Sequence, residues 1–175
     1  PPWGKIKFQE QEFFANRYPE ILAVSTKSKR SQLIKEVFIK NPHLEREYHE
    51  TIHNFDNYSK ILHNRHRFPL TGIGDINNYA VFAEHSYRLV KPQGHVGIIV
   101  PLGIATEDTT KFFFEELMKT NSLRKIIGFE NEEFLFPGIA HVVRFCLIVF
   151  TKESNIRDIP TFCFYLRSIK QLSEN

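Results

Sequence analysis

Apolar positions between residues 75 and 106 change period partway along the run. From Asp75 to Val90, Tyr79, Phe82, Ala83, Tyr87 and Val90 recur at the spacing of one helix face, and Lys91-Pro92-Gln93-Gly94 supplies the turn that stops the helix. His95-Val96-Gly97-Ile98-Ile99-Val100-Pro101 is then apolar at nearly every position and rich in β-branched residues, the pattern of a strand covered on both faces. Thr106-Glu107-Asp108-Thr109-Thr110 offers cap residues and early acids for a helix through Phe112-Phe113-Phe114-Glu115-Glu116-Leu117-Met118. Leu123–Glu130 reads as a second strand, and Val142–Phe150 is the strongest strand signal in the chain. A loop from Asn131 to Ala140, containing Phe134-Leu135-Phe136-Pro137-Gly138, joins these two strands into a hairpin expected on the sheet edge. Pro160 to Leu166 is a candidate for one more strand. Helix, turn, strand and helix form the repeating unit of an open α/β sheet. Ligands in such sheets sit at the carboxyl ends of the strands, here Pro101-Leu102-Gly103-Ile104-Ala105-Thr106.

Residues Gln9 to about Asn64 have a different texture, helical and polar with intermittent apolar positions at Phe13, Phe14, Leu22, Leu33, Ile34, Val37 and Phe38. They read as an inserted helical arm of two or three helices, with a loop at Ser25–Ser31, Ser31 as N-cap of the next helix, and an interruption at Pro42. Lys27, Lys29, Arg30, Lys35 and Lys40 suit either a solvated helix face or phosphate contacts. His49-Glu50-Thr51-Ile52-His53 matches the spacing of a zinc-protease helix. The charged residues Glu45-Arg46-Glu47 before it, Asp56 where the longer pattern needs Gly, and Ser59 where it needs a third His argue against a metal site, and none is expected. Asn64-Arg65-His66-Arg67 opens a basic loop ending at Asp75, a natural N-cap. Gly72-Ile73-Gly74 does not follow a strand, so it does not read as a dinucleotide or phosphate cradle.

Composition narrows these readings only a little. A chain of 175 residues with 42% apolar residues is one domain or part of one. Its seventeen Phe favour broad apolar or stacking surfaces. A net charge of +3 is too small to announce nucleic acid, so any such surface must be local, with Arg65/Arg67 and Lys27/Lys29/Arg30 as the candidate loops. Cys146 and Cys163 lack metal-type spacing, which suits a reduced cytoplasmic protein. Asn57-Tyr58-Ser59 fits a glycosylation sequon, and no apolar run is long enough to span a membrane. A start without Met, inside a Pro-Pro-Trp-Gly turn, is what a fragment of a longer protein would show.

Four segments in this order resemble the adenine-N6 DNA amino-methyltransferases, particularly those of type II (type IIG-like) restriction-modification enzymes. Pro1-Pro2-Trp3, followed by Gly4 to Phe14, is similar to the last three positions and sequel of the family's Asn/Asp-Pro-Pro-aromatic motif. Phe68 to Tyr79 resembles the lead into the next helix, Val96 to Thr106 the fifth strand and its loop, and Phe129 to Leu147 the late hairpin. The resemblance implies an α/β fold: the C-terminal part of a Rossmann-like S-adenosylmethionine-dependent methyltransferase sheet, with helices on its faces and the helical arm inserted. The motif strand end and loop would occupy residues 1–8, the arm 9–67, the core 68–152 and an edge segment 153–175. The fifth, sixth and seventh strands would lie here, the last antiparallel.

Adenine N6 is a poor nucleophile because its lone pair is delocalised into the ring. The resemblance implies that the Asn/Asp and the carbonyl of the first Pro, here Pro1, accept its protons, and that Trp3, after Pro2, stacks on the base. The substrate would be double-stranded DNA with an adenine flipped out of the helix, which costs a few kcal/mol that stacking offsets. Phe136, with Phe134 behind it, is the candidate second aromatic. The Asn/Asp, the glycine-rich S-adenosylmethionine loop and the ribose-binding acid have no counterpart in these residues. Inactivity of the isolated chain is therefore expected. The alternative is a DNA-binding or scaffold module that kept the sheet without the catalysis.

Overall fold

A computed structural model of the chain describes residues 2–152 and 159–173. The chain divides into two compact units, Ile6–Ile61 and the combination of Pro1–Lys5 with Leu62–Asn175.

The larger unit is α/β. Its strands, β1 (His95–Pro101), β2 (Leu123–Glu130), β3 (Arg144–Thr151) and β4 (Thr161–Leu166), form one mixed sheet in the order β1-β3-β2-β4. β3 is antiparallel to both neighbours, with Ile148 opposite Ile98 on one side and Ile126 on the other, while β4 runs parallel to β2. The hairpin of β2 and β3 thus lies inside the sheet and not on its edge. β3 pairs along nearly its whole length with β1 as well as with β2, and its Phe145, Cys146, Ile148 and Phe150 are all buried.

β1 departs from expectation in the opposite sense. It is an edge strand whose burial alternates, with Val100 buried and Ile99 41% exposed. Only one face meets the core, and the β-branched run that suggested two covered faces reflects strand propensity as much as burial.

Helix α5 (Asn78–Leu89) covers that core face. It buries Tyr79, Ala80, Ala83, Glu84 and Tyr87, whereas Phe82, which the apolar periodicity placed inward, is 47% exposed. The helix also starts later than its sequence suggested. Its N-cap is Asn77, and Asp75 instead pairs its carboxylate with Lys5 at 3.2 Å. A short α6 (Gly103–Thr106) and α7 (Lys111–Lys119) follow β1. Phe113 and Leu117 of α7 pack with Val100, Ile126, Ile148 and Phe150 into the principal core. Tyr87, Phe113 and Phe150 meet edge to face, with centroid separations of 5.8 to 6.2 Å. Each such pair contributes about 0.5–1.5 kcal/mol beyond simple burial.

Cys146 lies in this core, and burial pushes its thiol pKa up to about 12. The reactive thiolate is thus suppressed at neutral pH. Iodoacetamide at pH 8 is expected to label half-buried Cys163 in the native protein and Cys146 only after denaturation, a difference peptide mass spectrometry resolves. Equal native labelling of both would contradict the packing around Cys146.

The smaller unit is helical, with α1 (Glu10–Ala15), α2 (Pro19–Leu22), α3 (Lys27–Lys40) and α4 (Pro42–Leu62), four helices where two or three were expected. α3 begins at Lys27 with Thr26 as N-cap, so Ser31 sits inside the helix and is not its cap. Ser and Thr made the run read as a loop, but Lys27, Lys29 and Arg30 are good helix formers and Thr26 serves as the cap before them. Pro42 opens α4, where its missing N–H costs nothing, and the Asn41 side chain accepts the Leu44 N–H at 3.1 Å. Phe14, Ile21, Ile34, Phe38 and Leu44 form the core of this unit. Tyr48 packs against it and donates to Glu10 at 3.2 Å, and burial first, then the Glu10 charge, pushes the phenol up to about 12.

Candidate functional site

β1 and β2 both oppose β3, and β4 follows β2, so the carboxyl ends of β1, β2 and β4 share one end of the sheet. Ligand sites in α/β sheets gather at that end, and one cluster of aromatic residues lies there. Trp3 is held there by its indole N–H, which donates to the Ile99 carbonyl at 3.2 Å. The adjoining backbone is fixed as well: the Gly4 carbonyl accepts the Asn78 N–H at 3.1 Å, and Lys5 bridges Asn77. The indole meets Phe136 edge to face at 5.5 Å and lies at 28° to Phe145 at 5.9 Å. Phe145 stacks on Phe129 at 5.3 Å, which extends the cluster across β2 and β3.

Phe136 owes its place to Asn131, a fully buried side chain just after β2. The Asn131 amide donates to the carbonyls of Phe136 at 3.0 Å and Ile139 at 2.9 Å, and its oxygen accepts the Phe136 N–H at 3.0 Å. One side chain therefore folds the loop that presents the second aromatic ring. Phe134 goes elsewhere. Its φ of 50° ends the short 3-10 turn Asn131–Glu133, and its ring is 52% exposed beside His141. Of the three candidate base-binding residues, Trp3 and Phe136 are brought together and Phe134 is not among their contacts.

A cavity of about 500 Å³ opens beside Trp3, lined also by Asn77, Tyr79, Pro101, Glu107 and Thr109. Glu107 is its polar centre, accepting from the Tyr79 hydroxyl at 3.0 Å and from the Asn77 amide at 3.4 Å. Burial, with the Glu107 charge second, raises the Tyr79 phenol pKa well above its ordinary value, so the hydroxyl remains a donor. Gly103 makes this approach possible, because a Cβ there would stand 2.4 Å from a Glu107 carboxylate oxygen. The Thr109 hydroxyl is buried and has no hydrogen-bond partner, a donor left over in the wall of the cavity.

The remaining candidates scatter. Pro2 is exposed, and Pro1 lies outside the described residues. Arg65 and Arg67 are exposed on a turn closed by N–H bonds from Arg67 and Phe68 to the Asn64 carbonyl, and Arg88 donates to the Arg67 carbonyl. In the helical unit, Lys27 and Lys29 are exposed on the first turn of α3, while Arg30 is half-buried and donates to the Val24 carbonyl at 3.1 Å. His49 and His53 are exposed on α4, with His49 against Tyr48 and Phe38. Among the described residues no group of three His, Cys, Asp or Glu has metal-binding geometry.

Among the described residues the Gly-x-Gly segment does not form a cradle for S-adenosylmethionine. It packs on itself: a Cβ at Gly72 would meet the carbonyls of Leu62 at 2.5 Å and Phe68 at 2.7 Å. The donor set at Glu107 and Tyr79 does not supply a glycine-rich turn either. Sequence reasoning missed Asn131 and Glu107 as organisers. Asn131 carries no periodic signal, and Glu107 looked like an ordinary helix-start acid.

No family model matches the chain, and no curated protein is significantly similar to it. No described helix is long and apolar enough to cross a membrane.

Proposed function

We propose that this chain supplies the base-binding side of a site-specific DNA methyltransferase that moves a methyl group from S-adenosylmethionine to adenine N6, as part of a restriction-modification system. The observation that carries the reading is Trp3 beside Phe136, at the carboxyl end of the sheet and next to an open cavity. A Pro-Pro-Trp segment in that position supports the reading, as does β3, which runs antiparallel to both its neighbours, while β4 beyond it is parallel to β2. A flipped adenine would stack on the exposed part of the indole, with the Phe136 loop closing the pocket. The chain's own contribution is to bind and orient the base and exclude water from it, and the methyl donor would be held by residues other than the Gly72–Gly74 loop. Reduced cytoplasmic surroundings suit the two free thiols.

Methylation of duplex DNA by the full-length protein tests this, with N6-methyladenine read by mass spectrometry. Trp3→Ala is expected to lower the rate about ten-fold or more, the effect of one lost base–aromatic stack worth ~1–3 kcal/mol. Trp3→Phe should retain part of it. Turnover unchanged in Trp3→Ala would remove the indole from the active site. The exposure of Arg65, Arg67, Lys27 and Lys29 favours a second reading, a non-catalytic DNA-binding or scaffold module that keeps the sheet. It would bind DNA with a steep salt dependence through Arg65/Arg67 and Lys27/Lys29/Arg30 and produce no methyladenine.

A further inference from the structure

We infer that a second groove at the carboxyl end of the sheet, lined from β2, β4, the start of β3 and the loop after β1, binds one unpaired nucleotide of DNA, its base against Phe164 and Tyr165 and its phosphate on Arg144, with Arg167 beside it on Glu130. The groove encloses about 290 Å³ and shares no lining residue with the Trp3 cavity. It stands at the lower end of the ~300–1,000 Å³ range of small-molecule sites, a size for one ring system.

The β2–β4 ladder is built to open it. Ile127 pairs with Cys163 and Phe129 with Leu166, so two steps along β2 match three along β4, and the extra residue is a bulge. Successive strand residues normally point to opposite faces, yet Phe164 and Tyr165 both line this groove. Tyr165 adopts φ 65°, a left-handed conformation uncommon for a bulky aromatic, and is 70% exposed. Strained backbone that presents an aromatic ring to solvent is a feature of ligand sites. Phe164 is 40% exposed and lies directly on Gly128, where a Cβ would come within 2.7 Å of its ring.

Charge selects the occupant. Glu130 is shared by two guanidiniums, Arg144 at 3.3 Å and Arg167 at 3.3 Å, so among the described residues two positive charges meet one carboxylate. Both arginine side chains are more than half exposed, and the Arg144 guanidinium stands 5.8 Å from the Tyr165 ring centroid. Exposed rings beside a cationic fork fit a base with its phosphodiester, because every base has a face to stack and the phosphate takes the fork. An apolar peptide would leave the exposed faces of the two guanidiniums with Glu130 as their shared anion and no second one.

The inference rests on the DNA reading, and its experiment separates the two. Binding of a short single-stranded oligonucleotide containing 2-aminopurine is measured by anisotropy and by quenching of the 2-aminopurine emission, using the full-length protein and its variants. Tyr165→Ala is expected to weaken binding about ten-fold and relieve the quenching, Tyr165→Phe to restore both, and Arg144→Gln to weaken binding and flatten its salt dependence. Normal affinity and quenching in Tyr165→Ala and Arg144→Gln, with circular dichroism confirming the fold, would overturn the groove as a nucleotide site. So would preferential displacement of the oligonucleotide by an uncharged apolar peptide. Loss in Trp3→Ala alone would keep the methyltransferase reading and remove this groove. Loss in Tyr165→Ala alone, with Trp3→Ala normal, would keep the groove and remove the base-binding role of Trp3.

Discussion

Asn131→Ala is expected to release the loop between β2 and β3 and to lower the stability of the α/β unit by about 3–4 kcal/mol. Three hydrogen bonds to the loop backbone end on this one fully buried side chain. Each contributes about 1 kcal/mol net, and the backbone groups left buried without partners add to the cost. Asn131→Asp should be no better, since it sets a carboxylate oxygen against the carbonyl of Phe136 or Ile139. Denaturant unfolding gives the stability, and hydrogen exchange of the Phe136 amide reports the loop directly. An unchanged midpoint with Phe136 still protected would show that the aromatic contacts to Trp3 and Phe145 hold the loop without Asn131. Under the proposed function the same variant should lose methylation more steeply than stability, because Phe136 would no longer be presented.

Glu84→Leu is expected to cost about 3–5 kcal/mol, an unusual penalty for making a core residue more apolar. Glu84 is fully buried on α5, and its carboxylate accepts the N–H of Leu70 at 3.3 Å and both the N–H and hydroxyl of Thr71 at 2.9 and 2.7 Å. Leucine fills much of the volume but orphans three donors in the interior, and hydrogen bonds to charged groups are worth about 1.5–3 kcal/mol each. Glu84→Gln, which keeps one acceptor oxygen, should cost roughly half as much. Combining Glu84→Leu with Thr71→Val should recover part of the loss, since the second change removes one stranded hydroxyl. Thermal and denaturant unfolding measure all three. If Glu84→Leu were neutral, the 68–77 loop would be anchored by its apolar contacts at Phe68 and Ile76 and not by the carboxylate.

The strands and the α/β class could be read from the chain because periodicity and β-branching are local properties, and the core strands carry them densely. Failures occurred where a residue's role depends on distant parts of the chain. Phe82 fits the apolar spacing of α5 as well as Tyr79 does, yet its position is left 47% exposed. Asp75 is a good cap by type, but Lys5, seventy residues away, takes its carboxylate. Glu84 breaks the apolar pattern and is still fully buried, because Leu70 and Thr71 supply its partners.

The candidate sites divide the same way. Pro2, Trp3 and Phe136 could be picked out by residue type and order, and the amino-acid sequence alone established that aromatic residues flank the strand ends. Only the tertiary structure decided that Trp3 meets Phe136 while Phe134 does not, that Gly103 lets Glu107 reach Tyr79, and that a bulge brings Phe164 and Tyr165 to one groove. Local sequence fixes which backbone conformations are cheap. Which side chains share a cavity is set by strand register and by buried hydrogen bonds between segments far apart, and no window along the chain contains both partners.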